Sequence, residues 1–245
     1  MSTITIVVQN CGLTGLAAIK SLNAAGNKNT VRVASRDAAK LREKLSKEGA
    51  EAQVFQTGDD AMFTGADRFI CIPPGGTPEP ETRVTTALEF VKKATAAGAT
   101  HGVVLSVVVA DRRRGLFGRQ WGEVEDAATA QNGVTTVFVR APMFFGNMWG
   151  DVPAVKSSNT FYMPIDGDTS MLTAAVADVG AAMAASVLDV SLGNKTVHVV
   201  GDNLTKNEIA ALYSKKLGRD ITFTQVPKSA ATKAFLAYGM PLWQI

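Results

Sequence analysis

The sequence predicts an α/β fold, a doubly wound parallel sheet with a smaller α+β lobe in the C-terminal part of the chain. Three observations predict it. Short strand signals alternate with helical ones through the first 140 residues, and each parallel crossover must climb back over one face of the sheet. Most of the strands are continuously apolar rather than alternating, as burial on both faces requires. Between the first strand and the first helix stand two closely spaced glycines.

Residues 4–8 (Ile-Thr-Ile-Val-Val) form the first strand. A helix follows over 14–25, apolar at Leu16, Ala17, Ile19 and Leu22 and closed by Gly26. Residues 31–34 give the second strand, and Asp37 is placed to cap a helix running to Lys47 with Leu41 and Leu45 on its buried face. Short strands at 52–56 and 69–72 come next, the latter halted by Pro73-Pro74-Gly75. A long helix over 81–97 leads into 102–109, the most apolar strand. A helix over 122–130 and a sixth strand over 135–140 complete the rhythm. Residues 1–150 are therefore expected to form a dinucleotide-binding domain, and 151–245 a smaller substrate or partner lobe whose segments interleave with it to an extent the sequence leaves open. The second part carries an Ala-rich helix over 178–188, a strand over 196–200, a capping box at Thr205-Lys206-Asn207-Glu208 opening a helix that stops at Gly218, a strand over 221–226 and a last helix over 230–238.

Composition narrows the function classes. A net charge of +3 over 245 residues is too small an excess to argue for nucleic acid, and Arg112-Arg113-Arg114 is the one dense basic run, read as a solvated loop. No apolar stretch approaches the ~18 residues of a membrane span, and Met1-Ser2-Thr3 leads straight into a strand, leaving no room for a signal peptide. Cys11 and Cys71 read as reduced thiols; with only two histidines, His101 and His198, no metal site is expected. The expectation is a cytoplasmic protein.

Chemistry is signalled by Gly12-Leu13-Thr14-Gly15-Leu16-Ala17-Ala18, directly after the first strand. The glycines allow a tight turn and a close approach to a pyrophosphate, and the helix that follows offers unpaired N–H groups and the positive end of its dipole. Ala18 takes the third glycine's place and still permits close helix–strand packing. The second strand ends in Ser35-Arg36. An Asp or Glu there would accept from the 2′-hydroxyl of NAD, whereas a guanidinium and a hydroxyl suit the 2′-phosphate of NADP. The competing reading makes Arg36 a solvated residue and Asp37 the ribose reader; Asp37 is one place late and better used as a cap. Ligands of such Rossmann sheets lie beyond the carboxyl ends of the strands, which nominates Ile72, Pro73 and Pro74, then Ser106 and Val107, then Phe144.

These residues carry a resemblance to the NmrA-like family of atypical short-chain dehydrogenases/reductases. Gly12–Gly15, Ser35-Arg36, 49–57, Gly65-Ala66-Asp67-Arg68-Phe69, Ala97-Gly98-Ala99-Thr100-His101 and Leu105-Ser106 follow its segments in order. Gly122-Glu123-Val124-Glu125, the Arg140-Ala141-Pro142-Met143-Phe144-Phe145-Gly146-Asn147 segment and the 205–218 helix continue the match. The resemblance implies an NADP(H)-binding core with a variable cleft under the smaller lobe, and activities ranging from quinone or dye reduction to NADP-sensing regulation with little catalysis. In the latter case a protein partner reads cofactor occupancy. The family's C-terminal segment implies further that 239–245 is the middle of a segment, so that either the lobe is reduced or the chain is cut.

The departures bear on mechanism. Typical short-chain dehydrogenases use Tyr-x-x-x-Lys for proton handling; none of Tyr162, Tyr213 and Tyr238 is followed by Lys four residues on. Where many family members keep a Lys four residues before the Glu matching Glu125, this chain has Trp121, with Phe117 a turn earlier. Hydride transfer to an electron-poor, quinone-like small molecule needs no strong protein acid, and that is the expected reaction. Phe117, Trp121, Phe145 and Trp149 are the expected substrate-binding residues, each with a core or lobe-interface role as its alternative. Ser106, Arg119 and Asn147 are the polar candidates for catalysis. His101 reads as structural, and Cys11 as a small buried thiol. Oligomeric state is not legible.

Overall fold

The structure, a computed structural model, describes residues 3–26, 29–75, 79, 81–113 and 115–240. It divides into two compact units, residues 1–141 with 176–199 and residues 142–175 with 200–245. The interleaving that the sequence leaves open takes this form: 176–199, numbered within the expected second lobe, belong to the first unit. The physical reason lies in two apolar segments. The helix over 176–188 buries Val179, Met183 and Val187, and a strand over 196–198 pairs with the large sheet.

In the first unit β1 (Thr5–Val8), α1 (Leu13–Ala24), β2 (Thr30–Ser35), α2 (Ala38–Lys47), β3 (Gln53–Gln56), β4 (Arg68–Cys71), α3 (Glu81–Ala96), β5 (His101–Val107), α4 (Gly115–Thr129) and β6 (Thr135–Ala141) follow in turn. In the second, β7 (Met143–Phe144), α5 (Val152–Ser158), β8 (Thr160–Met163) and β9 (Met171–Ala174) precede the return of the chain to the first unit as α6 (Val176–Leu188) and β10 (Thr196–His198). Then β11 (Asp202–Leu204), α7 (Lys206–Leu217), β12 (Thr222–Gln225) and α8 (Lys228–Ala237) finish the second unit.

Among the described residues the large sheet has seven strands in the order β10-β6-β5-β4-β1-β2-β3, every pair parallel. Strand order reverses between β1 and β4, so the loops after these two strands flank the switch point where such sheets take their ligands. Central strands are sealed: Ile6, Val7, Val8, Phe69, Ile70, Val103 and Val104 have no exposed surface. Such burial on both faces is what their unbroken apolar sequence encodes. Helix α6 lies so close to α1 that a Cβ on Gly180 would stand 2.4 Å from the Cβ of Ala17. The small residues at 17, 18 and 180 are therefore a packing requirement.

Helix α4 starts at Gly115, a full two turns before the expected 122. Its glycines do not break it because they form a contact face: a Cβ on Gly118 would meet the Val109 carbonyl at 2.9 Å, and one on Gly122 the Ala110 carbonyl at 3.1 Å. The second unit holds a three-stranded sheet, β11-β9-β7, and a parallel β8–β12 pair. Its small core gathers Val155, Phe161, Ile209, Ala210 and Ile221. Thr205 and Glu208 make the expected reciprocal cap of α7, which ends at Gly218 in the left-handed conformation.

Candidate functional site

The glycine turn is built from the end of β1. Asn10 is its organiser: the side-chain carbonyl accepts the Gly12 N–H at 3.2 Å, and the amide donates to the Ile72 carbonyl at 2.6 Å, tying the turn to the end of β4. Gln9 adds a second tie, accepting the Ile72 N–H at 2.9 Å and donating to the Thr86 carbonyl of α3 at 3.1 Å. Gly15 is obligatory here, since a Cβ would stand 2.0 Å from the Asn10 carbonyl oxygen. Gly12 has room, its nearest neighbour being the Asn10 side-chain oxygen at 3.5 Å. No side chain caps α1 and no acidic residue lies in its first turn, so the amides of Leu13, Thr14 and Gly15 face outward with the positive end of the helix dipole behind them. Thr14 and Leu16 are buried, whereas Leu13 projects outward. Lys44 donates to the Cys11 carbonyl at 3.1 Å, adding a cation behind the turn. Burial pushes the Cys11 thiol above its ordinary value, Lys44 opposing, which disfavours the thiolate.

Because β1 and β2 run parallel with Val8 opposite Val33, the residues after β2 lie beside the turn at the same sheet edge. Asp37 caps α2, accepting the Lys40 N–H at 2.9 Å. The Ser35 hydroxyl accepts the Asp37 N–H at 3.1 Å and donates to the Asp37 carbonyl at 3.0 Å, so it shapes the corner and has already used its proton. Arg36 is exposed, its backbone carbonyl held by Gln56 at 2.9 Å, and its guanidinium pairs with no acid among the described residues.

The loop after β4 is held from below by a residue the sequence reading passed over. Arg83 of α3, only 2% exposed, donates to the Pro74 carbonyl at 3.1 Å, to Gly75 at 2.7 Å and to the Gln120 side chain of α4 at 2.7 Å. Its guanidinium also lies 5.0 Å from the Phe117 ring centre and 5.4 Å from that of Trp121. The two rings meet edge to face, 6.0 Å apart. Trp121 is buried and its indole N–H has no acceptor among the described residues, while Phe117 is half exposed. A signal existed in the sequence: 83, 87, 90, 91 and 94 share the apolar face of α3, and an arginine on such a face demands partners.

Ser106 is fully buried and donates to Glu125 of α4. Glu125 in turn takes the Arg140 guanidinium in a bidentate pair at 2.9 and 2.7 Å, with Asp111 at 3.8 Å from the same arginine. Glu125 holds the Arg140 guanidinium above its usual range. Three elements, β5, α4 and β6, are thereby locked beside Val107 at the carboxyl edge of the sheet.

Of the remaining candidates, Arg119 is exposed on α4. Phe144, Phe145, Asn147 and Trp149 belong to the second unit, where Asn147 is exposed and Trp149 is 77% exposed. Within the basic run, Arg113 pairs with Asp126 at 2.6 Å; Arg114 lies outside the described residues, as do Met1, Ser2 and the last five residues, Pro241 to Ile245. His101 is structural: its Nε2 donates to the Ser186 carbonyl at 2.9 Å, leaving Nδ1 to accept from the Thr135 hydroxyl at 2.9 Å. Among the described residues no cluster of His, Cys, Asp and Glu is placed to hold a metal, and no helix is long and apolar enough to cross a membrane.

A seven-stranded parallel sheet in this order, with an uncapped glycine turn at its switch point, defines a Rossmann-type fold. The chain belongs to the NmrA-like family, whose profile matches residues 1–243. It is 24% identical over 242 residues to an NAD(P)H azoreductase of Xenophilus azovorans, covering 96% of this chain and 82% of that protein. Its fold is similar to the triphenylmethane reductase of Citrobacter sp. crystallised with NADP(H), with a TM-score of 0.82 at 18% identity over 98% of this chain and 85% of that one. The NADPH-dependent quinone oxidoreductase of Escherichia coli, crystallised with NADPH, gives a TM-score of 0.82 at 22% identity over 96% and 83% of the two chains.

Proposed function

We propose that the protein is an NADP(H)-dependent oxidoreductase that passes hydride to a small aromatic or conjugated acceptor of the quinone type. The observation that carries the reading is the uncapped amide turn at Gly12–Gly15, set beside the exposed Arg36 guanidinium, which pairs with no acid among the described residues, while Asp37 caps α2. Family membership and the azo, triphenylmethane and quinone reductases it resembles support the same chemistry.

In this reading the amides of Leu13, Thr14 and Gly15 bind the pyrophosphate, with Gly12 and Leu16 shaping its bed. Arg36 grips the 2′-phosphate, with Ser35 fixing the corner from which it projects. Ile72, Pro73 and Pro74, held by Asn10, Gln9 and Arg83, form a stiff wall beyond β4; Val107 completes the cofactor-binding set on this unit. When bound, NADPH supplies the hydride. Phe117 and Trp121 offer the acceptor an aromatic surface polarised by Arg83. Arg119 is proposed to orient the acceptor's polar groups. Ser106 acts through Glu125 as a positioning residue. An electron-poor acceptor stabilises the charge it receives, which suits a site lacking Tyr-x-x-x-Lys.

The test is NADPH oxidation, followed by absorbance, with a panel of quinones, azo dyes and enals. Turnover on several acceptors is expected. Tight NADPH binding without turnover on any of them would refute the enzymic reading and leave a cofactor-sensing protein.

A further inference from the structure

The second unit holds ionisable groups that the proposed reaction does not use. Lys206 is the first residue of α7 and is only 2% exposed, yet its ammonium makes no hydrogen bond and has no carboxylate within 4.0 Å among the described residues. The Phe161 ring centre lies 5.9 Å from Nζ. The amine is not among the sealed, unsatisfied polar atoms of the interior, so it retains contact with solvent. Glu208, the nearest acid in sequence, is spent on the Thr205 cap. The charged group that acts on Lys206 is Asp151, whose carboxylate accepts from the Tyr213 hydroxyl at 3.3 Å.

Three features disfavour a proton on this amine. It is buried with the Phe161 ring near it, its donors find no acceptor among the described residues, and it sits at the positive end of a helix. Only Asp151 pulls the other way. Burial accordingly draws Lys206 below the ordinary lysine value, against the attraction of Asp151, and the same burial raises Asp151. A desolvated lysine whose charged form is disfavoured is the kind of amine that attacks carbonyl carbon.

We propose that Lys206 is a nucleophilic amine, a site in the second unit at which a small aldehyde is captured as an imine. The neutral amine adds to the aldehyde carbon, the carbonyl oxygen takes a proton to give a carbinolamine, and loss of water leaves the C=N bond. Solvent water, which the amine reaches, carries those protons, and Asp151 acts only through its charge, holding the amine in its protonated form. The site is independent of cofactor binding and of the oxidoreductase reading.

The experiment is labelling of the full-length protein with propanal and cyanoborohydride at pH 7, with modified lysines mapped by peptide mass spectrometry. Lys206 is expected to be modified roughly tenfold faster than the exposed Lys215 and Lys216 of the same helix. Lys206→Arg, which keeps the charge and a long side chain, should lose that fast phase alone. Asp151→Asn removes the charge that holds the proton and should speed labelling at Lys206, a response that a purely structural lysine would not show. Labelling of Lys206 no faster than of Lys215, or slower labelling in a folded Asp151→Asn protein, would overturn the proposal.

Discussion

The Glu125–Arg140 pair offers a prediction whose size follows from its surroundings. Both side chains are nearly buried, 11% and 13% exposed, and join through two hydrogen bonds while Glu125 also accepts from Ser106. Glu125→Leu leaves the guanidinium with only Asp111 at 3.8 Å, a half-exposed acid, and leaves the Ser106 hydroxyl without an acceptor. Removing one partner of a buried pair costs about 3–5 kcal/mol. In a chain of this length that is a fall of roughly 10 °C in Tm. Arg140→Leu should cost a similar amount by stranding the carboxylate. The double Leu variant strands neither charge, so its loss should fall short of the sum of the singles by about 2–3 kcal/mol. Urea and thermal unfolding of the four proteins measure the cycle. Losses that add to within about 0.5 kcal/mol, or a Glu125→Leu protein as stable as the parent, would show that the three elements are not held together by this pair.

The two glycines of the turn should respond differently. Gly15→Ala drives a Cβ against the Asn10 carbonyl and should cost about 1–3 kcal/mol in stability together with nucleotide binding, whereas Gly12→Ala should leave stability within about 0.5 kcal/mol; melts and NADPH titrations of the two variants check this. Lys206 should make stability rise with alkaline pH. Burial lowers its folded-state pKa below the unfolded one, so its destabilising contribution is complete below the folded value and disappears as pH climbs towards the ordinary lysine value. Tyr213, pushed up to about 12, acts oppositely above pH 10. The stability difference between Lys206→Met and the parent should therefore shrink between pH 8 and about 10; a difference that does not change with pH would contradict the assignment.

The first unit was legible because its signals are local and repeated. Apolar β1, β4 and β5 announce burial on two faces, Asp37 sits where a cap belongs, and the glycine spacing at 12 and 15 marks the turn. What escaped the reading depends on contacts distant in sequence. Asn10 gains its role from a carbonyl 62 residues away, and Arg83 from Gln120, 37 residues on. Glu125 and Arg140 were each visible, but only the adjacency of α4, β5 and β6 makes them a pair with Ser106 between them. The sequence shortens helix α4 at its start because Gly118 and Gly122 look like breakers until their carbonyl neighbours are seen. In the second unit β7, β8, β9 and β11 are two to four residues long, too short for any periodicity to register.

Calorimetric titration of the parent protein and Arg36→Asp with NADPH and with NADH tests the central claim most directly. The account predicts that the parent binds NADPH the more tightly, and that Arg36→Asp weakens NADPH by roughly 10- to 100-fold, the worth of a charge-assisted contact, while NADH is spared. Equal affinity of the parent for the two nucleotides, or an Arg36→Asp protein that binds NADPH unchanged, would contradict it.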